Sequence, residues 1–588
     1  MSLSTFFRDE MNYLRELGQE FAQDNPQLAR FLGEEAGDPD VERLLEGFAF
    51  LTARLRMKIE DDLPELTQPL LQMLWPNYLR PIPSFTLVRF DPVKQAITGR
   101  QLIPKGTRLF SHPVDGIRCE FRTCTDVLLH PLQLESVTGT HSREKSVMRI
   151  ELSVQTQQPL NTIECDQLDF HLSGDATSAM TLYLWIARYL KSVTVSVDGT
   201  PFSLSTKDII FPGFTAEEAL LPYPRNVFDG YRILQEFFVF PQRFHFFCLT
   251  RLARIWPAST GERLCFEFHF SRPMPLDIRL STADISLYCA PAVNLFRHDA
   301  EPINLNGQAL EHRVQPSGQR PDAFEIFSID NVTGWPTDTE HDRSEPLRAY
   351  TSFESFQHEI EHAQGRTALY YRTRIEDSLG HEGLRTRIAF VRGDESAYIG
   401  RNEVASIELT CSNRDLPLGL GIGDLCVATE ATPTFASYRN IIAPTRAYPP
   451  VLDASLHWTL ISNLSLNYLS LLSAEPLKAM VRAYDFAALH DLQQARSTSK
   501  RLAGIGEAIT TPSDRMMKGL PVRGLTTHLK LDQDAFLCEG ELYLFATVLS
   551  HFFALYASIN SFHQLEVTNT TNNEHYQWPQ LTGRQPVI

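Results

Sequence analysis

The chain has 588 residues, with 43% hydrophobic and 21% charged side chains, which is enough apolar material for several packed cores and excludes a disordered polymer. Its 54 basic side chains are outnumbered by 71 acidic ones, a formal net charge of −17. A surface this acidic repels phosphate backbones and argues against a nucleic-acid partner, since no basic run exceeds a few residues.

The first helix places Phe7, Leu14, Leu17 and Phe21 on one stripe. A second helix begins with Asp38 as N-cap and Pro39 in its first turn, where a missing N–H costs nothing. Its stripe runs Val41, Leu44, Leu45, Phe48, Leu51, Leu55 and Ile59. The two form a helical hairpin whose apolar surface needs a cover, either a domain core or a partner. The first helix carries more apolar side chains than one neighbouring helix readily covers, and Pro81-Ile82-Pro83 separates the segment from the rest of the chain. Phe7, Leu14, Leu17 and Phe21 are therefore expected to bind a partner.

From Pro81 to about residue 310 the pattern becomes strand-like. Val193, Val195 and Val197 alternate ahead of Asp198-Gly199, a two-residue hairpin signal, and Asp115-Gly116 sits in the same kind of context. Residues 311–350 are rich in Pro, Asp, Ser and Arg and read as loop. Tyr448-Pro449-Pro450 marks a later break, and strong helices are expected at Leu456–Leu472 and Leu542–Ile559. The polar stretch 494–515 reads as a mobile loop. Leu542–Ile559 holds no carboxylate, Lys or Arg, but its length and its Thr, Ser and His residues favour a buried helix over a membrane span. The order of elements predicts an α+β, multidomain fold. It has an N-terminal helical region (1–80), a strand-rich domain (81–310), a mixed β-rich domain (311–450) and a C-terminal α/β domain (451–588).

Nine scattered cysteines with no Cys-x-x-Cys pair read as reduced core thiols. Residues 1–20 show no signal-peptide pattern. The sharpest enzymatic motif is His358-Glu359-Ile360-Glu361-His362. In zinc proteases two histidines one turn apart bind the metal and the glutamate activates water. Against it, the next ligand position of the longer motif is Ala368, Glu361 stands where an apolar residue is usual, and the helix phase sets the histidines opposite Phe353, Phe356 and Ile360. Glu382 is the remaining third-ligand candidate. Gly419-Leu420-Gly421-Ile422-Gly423 lacks a following lysine and a strand–helix context, so it reads as a loop. No catalytic residue, cofactor or metal site is expected.

Several long blocks carry more information. They are Trp75 to Ser84, Gly230 to Pro241, Pro291 to Phe296, Cys411 to Pro417, Leu456 to Leu471, and Leu542 to Phe562. Taken in order, they resemble the TssF (VasA/ImpG) family of type VI secretion baseplate proteins. Ile103–Thr107 with Phe121–Val127 is similar to a turn-and-strand motif of phage baseplate wedges. The resemblance implies a structural, non-enzymatic subunit of the baseplate wedge. It implies two copies per TssG-like protein, with TssK, TssE, a central VgrG spike and the inner-membrane complex as neighbours. It also implies that a sheath assembles on the platform, on the cytoplasmic face of the inner membrane and without membrane insertion. The alternative reading is a zinc metalloprotease built on His358, Glu359 and His362.

Overall fold

A computed structural model describes residues 7–8, 10–15, 39–60, 64–93, 96–223, 230–257, 260–336, 348–353, 369–377, 383–392, 403–430, 432–453, 456–458, 460–461, 473–517, 520–558 and 560–583. The chain divides into two bodies. One holds residues 1–72 with 452–464, and the other holds 73–451 with 465–588.

In the first body, residues 7–8 and 10–15 are helical. The long helix Pro39–Glu60 comes next, with proline in its first turn as expected, and then the helix Pro64–Leu74. The chain returns to this body near its C-terminal third. There His457, fully buried, meets Thr67 Oγ1 through Nδ1 at 3.3 Å. The long helix leaves three of the side chains its periodicity selects exposed and half-buries a fourth, Leu45. Leu44, Phe48 and Leu51 are 74%, 57% and 58% exposed, whereas Ala49 and Ala53 are fully buried. The face that carries the small alanines is the covered one, and the larger side chains are left outward. A domain core does not account for those three side chains.

The second body is built from mainly antiparallel sheets, in line with the alternation in its sequence, with parallel pairs where Arg348–Ser352 meets Leu369–Asp377 and Leu520–Leu531 meets Phe562–Asn569. Among the described residues a five-stranded sheet runs Ala436–Asn440, Phe85–Pro92, Cys289–Val293, Ile117–Thr123, Arg108–Val114. A second runs Thr200–Leu204, Leu190–Val197, Arg263–Phe270, Ser146–Val154, Leu132–His141. Both Asp-Gly hairpins form, with φ of 50° and 83° at Asp115-Gly116 and 46° and 89° at Asp198-Gly199. Positive φ at both central residues matches the right-handed twist of the paired strands.

The described part of residues 311–350 is not the loop that its composition predicts, and 337–347 lie outside the described residues. Glu311–Val314, Glu325–Pro336 and Arg348–Ser352 are strands of an eight-stranded sheet that also contains Leu369–Asp377, Leu384–Arg392 and Glu403–Ser412. Val332, Ile388, Leu409 and Cys411 form its core, each at most fractionally exposed. Bulges between Ile326 and Ser328 and between Ile329 and Asn331 break the period-two alternation in Glu325–Pro336. Nor is 494–515 a loop. Leu492–Ala503 is a helix whose N-cap Asp491 accepts from the backbone of Gln493 and Gln494, and Ile505–Met517 is a strand. Tertiary burial of Thr498 and Leu502 overrides the polar composition.

The apolar helix Glu539–Tyr556 is buried in this body. Leu542, Phe545, Leu549 and Phe552 are fully covered, and the helix packs on Ala176–Leu184, Gly230–Val239 and the strand Phe562–Asn569. Among the described residues no helix is long and apolar enough to cross a membrane. Six cysteines are buried, Cys265 and Cys538 are half-buried, and Cys426 is exposed beside His112 Nε2, 3.4 Å away.

Candidate functional surfaces

Several of the sequence blocks that carry the family resemblance meet in the interior of the second body. Trp75 precedes a short turn, Pro76–Tyr78, that Pro76 initiates. The Trp75 ring meets Tyr484 edge-on at 5.3 Å, and Tyr484 stacks on Tyr231 at 4.1 Å and 12°. Tyr78 packs on Phe486 at 5.0 Å. All five side chains are at most 1% exposed. Asn77 donates to the Pro222 carbonyl and accepts from Arg80, whose guanidinium lies over the Phe327 ring. Burial lowers the Arg80 pKa to about 10, and Asp330 opposes that shift.

Next to Tyr231 in sequence, Arg232 forms a buried ion pair at 3.1 Å with Glu236, one helical turn further on. Arg243 Nε reaches the same carboxylate oxygen at 3.4 Å, and its guanidinium also donates to the Glu218 carbonyl. The other Glu236 oxygen accepts from the Leu220 backbone at 2.9 Å. A second pair of blocks meets where Asn294 and Asn413 exchange hydrogen bonds. These groups satisfy one another away from water, which is the arrangement of a scaffold rather than of a reaction centre.

The surfaces available for contact lie elsewhere. Of the proposed partner-binding stripe, Phe7 and Leu14 are half-buried, and Leu17 and Phe21 lie outside the described residues. Periodicity does not distinguish the long helix's outward face from its inward one. The small residues at 49 and 53 were the overlooked signal. Also missed was the hairpin of Ile505–Met517 and Leu520–Leu531, announced by the two-residue spacer Lys518-Gly519 between apolar flanks.

His358, Glu359, His362 and Glu382 lie outside the described residues, and among the described residues no three His, Cys, Asp or Glu side chains cluster as a metal site would need. The Gly419–Gly423 stretch is a loop. The Asp424 carboxylate accepts from Gly421 N at 2.7 Å, and Gly423 turns with φ of +93°. A cleft of about 200 Å³ is lined by Pro81, Phe324, Glu325, Gly383, Leu384 and Arg414. Desolvation raises the Glu325 pKa to about 7, against the pull of Arg414.

Comparison with known proteins agrees with this scaffold-like interior. The family model "Type VI secretion system, TssF" matches residues 1–585. The chain is 30% identical to the Pseudomonas aeruginosa "Type VI secretion system component TssF1", over 99% of both chains. A chain of a TssK-TssF-TssG type VI secretion baseplate subcomplex, seen by cryo-electron microscopy, superposes with a TM-score of 0.76. It is 29% identical, over 92% of this chain and 99% of that one. A chain of a type VI secretion baseplate complex superposes with a TM-score of 0.66 at 25% identity, over the whole of both chains. None of these matches supports a zinc protease. The chain belongs to the TssF family of type VI secretion proteins.

Proposed function

We propose that this protein is a structural subunit of a type VI secretion baseplate wedge. It joins a TssG-like and a TssK-like protein in the platform around the spike from which the sheath assembles. The observation that carries the reading is the superposition, at a TM-score of 0.76 over 92% of the chain, on a chain of a TssK-TssF-TssG subcomplex. The interior supports it as well, because the family's sequence blocks build buried packing and polar pairs. TssE, the VgrG spike and the inner-membrane complex are neighbours in this reading. The place of work is the cytoplasmic face of the inner membrane.

The contact surface we assign is the N-terminal helical region. Phe7, Leu14, Leu17 and Phe21 are joined by the outward stripe Leu44, Phe48 and Leu51. Apolar side chains at i, i+4 and i+7 on one exposed helix face suit bundle or groove docking. Co-expression with the TssG-like and TssK-like proteins tests the reading, with native mass spectrometry of the purified assembly. Two copies of this chain per TssG-like protein are expected. A chain that purifies alone in the presence of both would overturn it.

A further inference from the structure

The strand Ile505–Met517 pairs along its length with Leu520–Leu531, up to Met517 opposite Leu520. The next strand, Phe562–Asn569, supports that hairpin only from Gly524 onward, where Gly524 lies opposite Phe562. The base is firmly held. Ile505, Leu529 and Leu531 are buried, Thr510 bonds Thr527 at 2.9 Å, and Lys530 pairs with Glu507 at 2.7 Å. Beyond Ser513, opposite Gly524, the ribbon has two strands only among the described residues, and it projects roughly 13 Å at the rise of an extended chain.

A two-stranded ribbon is marginal in water unless something packs on it. This one is also chemically unlike the rest of the chain. Its distal part carries Arg515, Lys518 and Arg523 against the single acid Asp514, in a protein of net charge −17. The Arg523 and Asp514 side chains are 95% and 77% exposed and 3.9 Å apart, so they barely neutralise each other. Met516 is 69% exposed. Ile505–Met517 is the outermost strand of its sheet, with no further strand on its outer side among the described residues. Pro512 interrupts that edge, which leaves Ser513–Met517 as the segment able to accept another strand.

We propose that the distal hairpin is a docking arm for a protein partner that supplies an extended acidic segment, added as a strand along Ser513–Met517 with apolar side chains against Met516. The exposed Arg515 and Arg523 supply charge complementarity, and the open backbone edge supplies the hydrogen bonds of strand addition. An anionic lipid surface would satisfy the charge and the methionine but not the edge N–H and C=O groups. This inference is independent of the baseplate reading, because it rests on the arm alone.

The test uses the purified full chain and a synthetic decapeptide of alternating Glu and Val as probe. Hydrogen exchange of the amides 513–517 is followed with and without peptide. Slowing by tenfold or more is expected at low salt. It should vanish at high salt and in the double variant Arg515→Glu/Met516→Asp, whose melting should match the parent because both side chains are exposed. Should that variant unfold, Arg515→Gln alone carries the test, with an expected loss of severalfold in affinity. Absence of slowing at millimolar peptide, or slowing that survives the substitutions, overturns the proposal. Arm-dependent co-sedimentation with phosphatidylglycerol vesicles, in place of peptide binding, would assign the tip to lipid and overturn the choice of partner.

Discussion

Asn294 and Asn413 hold each other across 119 residues of sequence. The Asn294 amide donates to Asn413 Oδ1 at 2.9 Å, and its own oxygen accepts from the Asn413 backbone N–H at 2.7 Å. Asn294 Nδ2 also donates to the Glu120 carbonyl at 2.8 Å, and Asn413 Oδ1 accepts from Glu120 N at 3.3 Å. Both side chains are buried, so each bond lost leaves a polar group without water to replace it. Asn294→Asp removes both donors and sets a carboxylate against two acceptor oxygens. We expect it to cost about 2–3 kcal/mol of denaturant stability, and more than Asn294→Ala. A loss from Asn294→Asp smaller than that from Asn294→Ala would show that side-chain volume, and not the donor pair, is what the site requires.

The Arg232–Glu236–Arg243 group predicts an asymmetric mutational response. Glu236→Gln leaves two buried guanidiniums facing a neutral amide, and breaking a buried pair from one side typically costs about 3–5 kcal/mol. The double change Arg232→Met with Glu236→Leu removes two charges together. It should lose less, although Arg243 then loses the Glu236 carboxylate and keeps its contact to the Glu218 carbonyl. Thermal unfolding and soluble yield of the two variants check this. A double variant worse than Glu236→Gln would mean that Arg232's bonds to the Phe214 and Thr215 carbonyls outweigh the pair.

How much of this was legible in the sequence depended on whether the signal was local. Asp115-Gly116 and Asp198-Gly199 name their turns outright, because so few residues tolerate the required φ. The helix at Glu539–Tyr556 announces itself by large side chains at spacings of three and four. The strands at Glu311–Val314 and Glu325–Pro336 do not, because the first is a four-residue edge strand with three polar residues and bulges break the alternation of the second. The helix Leu492–Ala503 is made of Gln, Ser, Thr and Arg, so burial of Thr498 and Leu502 decides what propensity cannot. The meeting of Trp75, Tyr231 and Tyr484 is a property of the tertiary fold, and no spacing in the chain encodes it.

Four buried histidines set the acid limit of stability. Burial depresses the pKa values of His130 and His245 from 6.5 to about 4, and those of His171 and His563 to about 3. Above pH 6.5 all four are neutral in both states and their contribution is fully present. As pH falls below 6.5 the unfolded chain takes up protons that the folded one refuses, so stability drops until the folded values are reached. Glu325 acts oppositely. Its folded pKa is raised from 4.5 to about 7, so its contribution is present below 4.5 and is lost as pH rises through 7. Four histidines against one carboxyl leave up to three extra protons on the unfolded chain. These five groups by themselves therefore contribute a slope of up to about 4 kcal/mol per pH unit between pH 6 and 4.5. Denaturant midpoints at several pH values measure it, and Glu325→Gln should steepen the fall. A flat profile there would show that the histidines are hydrated.

The N-terminal helices give the most direct separation of fold from assembly. On one helix, Leu44, Phe48 and Leu51 face outward while Ala49 and Ala53 are fully buried. Leu44→Asp with Phe48→Asp places charge on side chains already in water. Such changes usually alter stability by no more than about 0.5 kcal/mol each. Ala53→Asp instead forces a carboxylate into a closed contact, at a cost of several kcal/mol. We expect the first variant to be soluble and to melt like the parent, yet to lose binding to the TssG-like protein in co-purification. The second should yield a destabilised chain whatever its partners. Leu14→Asp with Leu17→Asp belongs with the first group if its stripe is contact surface, and half-burial of Leu14 limits the expected loss in melting. Normal assembly by Leu44→Asp/Phe48→Asp would remove the outward stripe from the interface. A large melting loss in Leu14→Asp/Leu17→Asp would assign the first helix to the core of its own body.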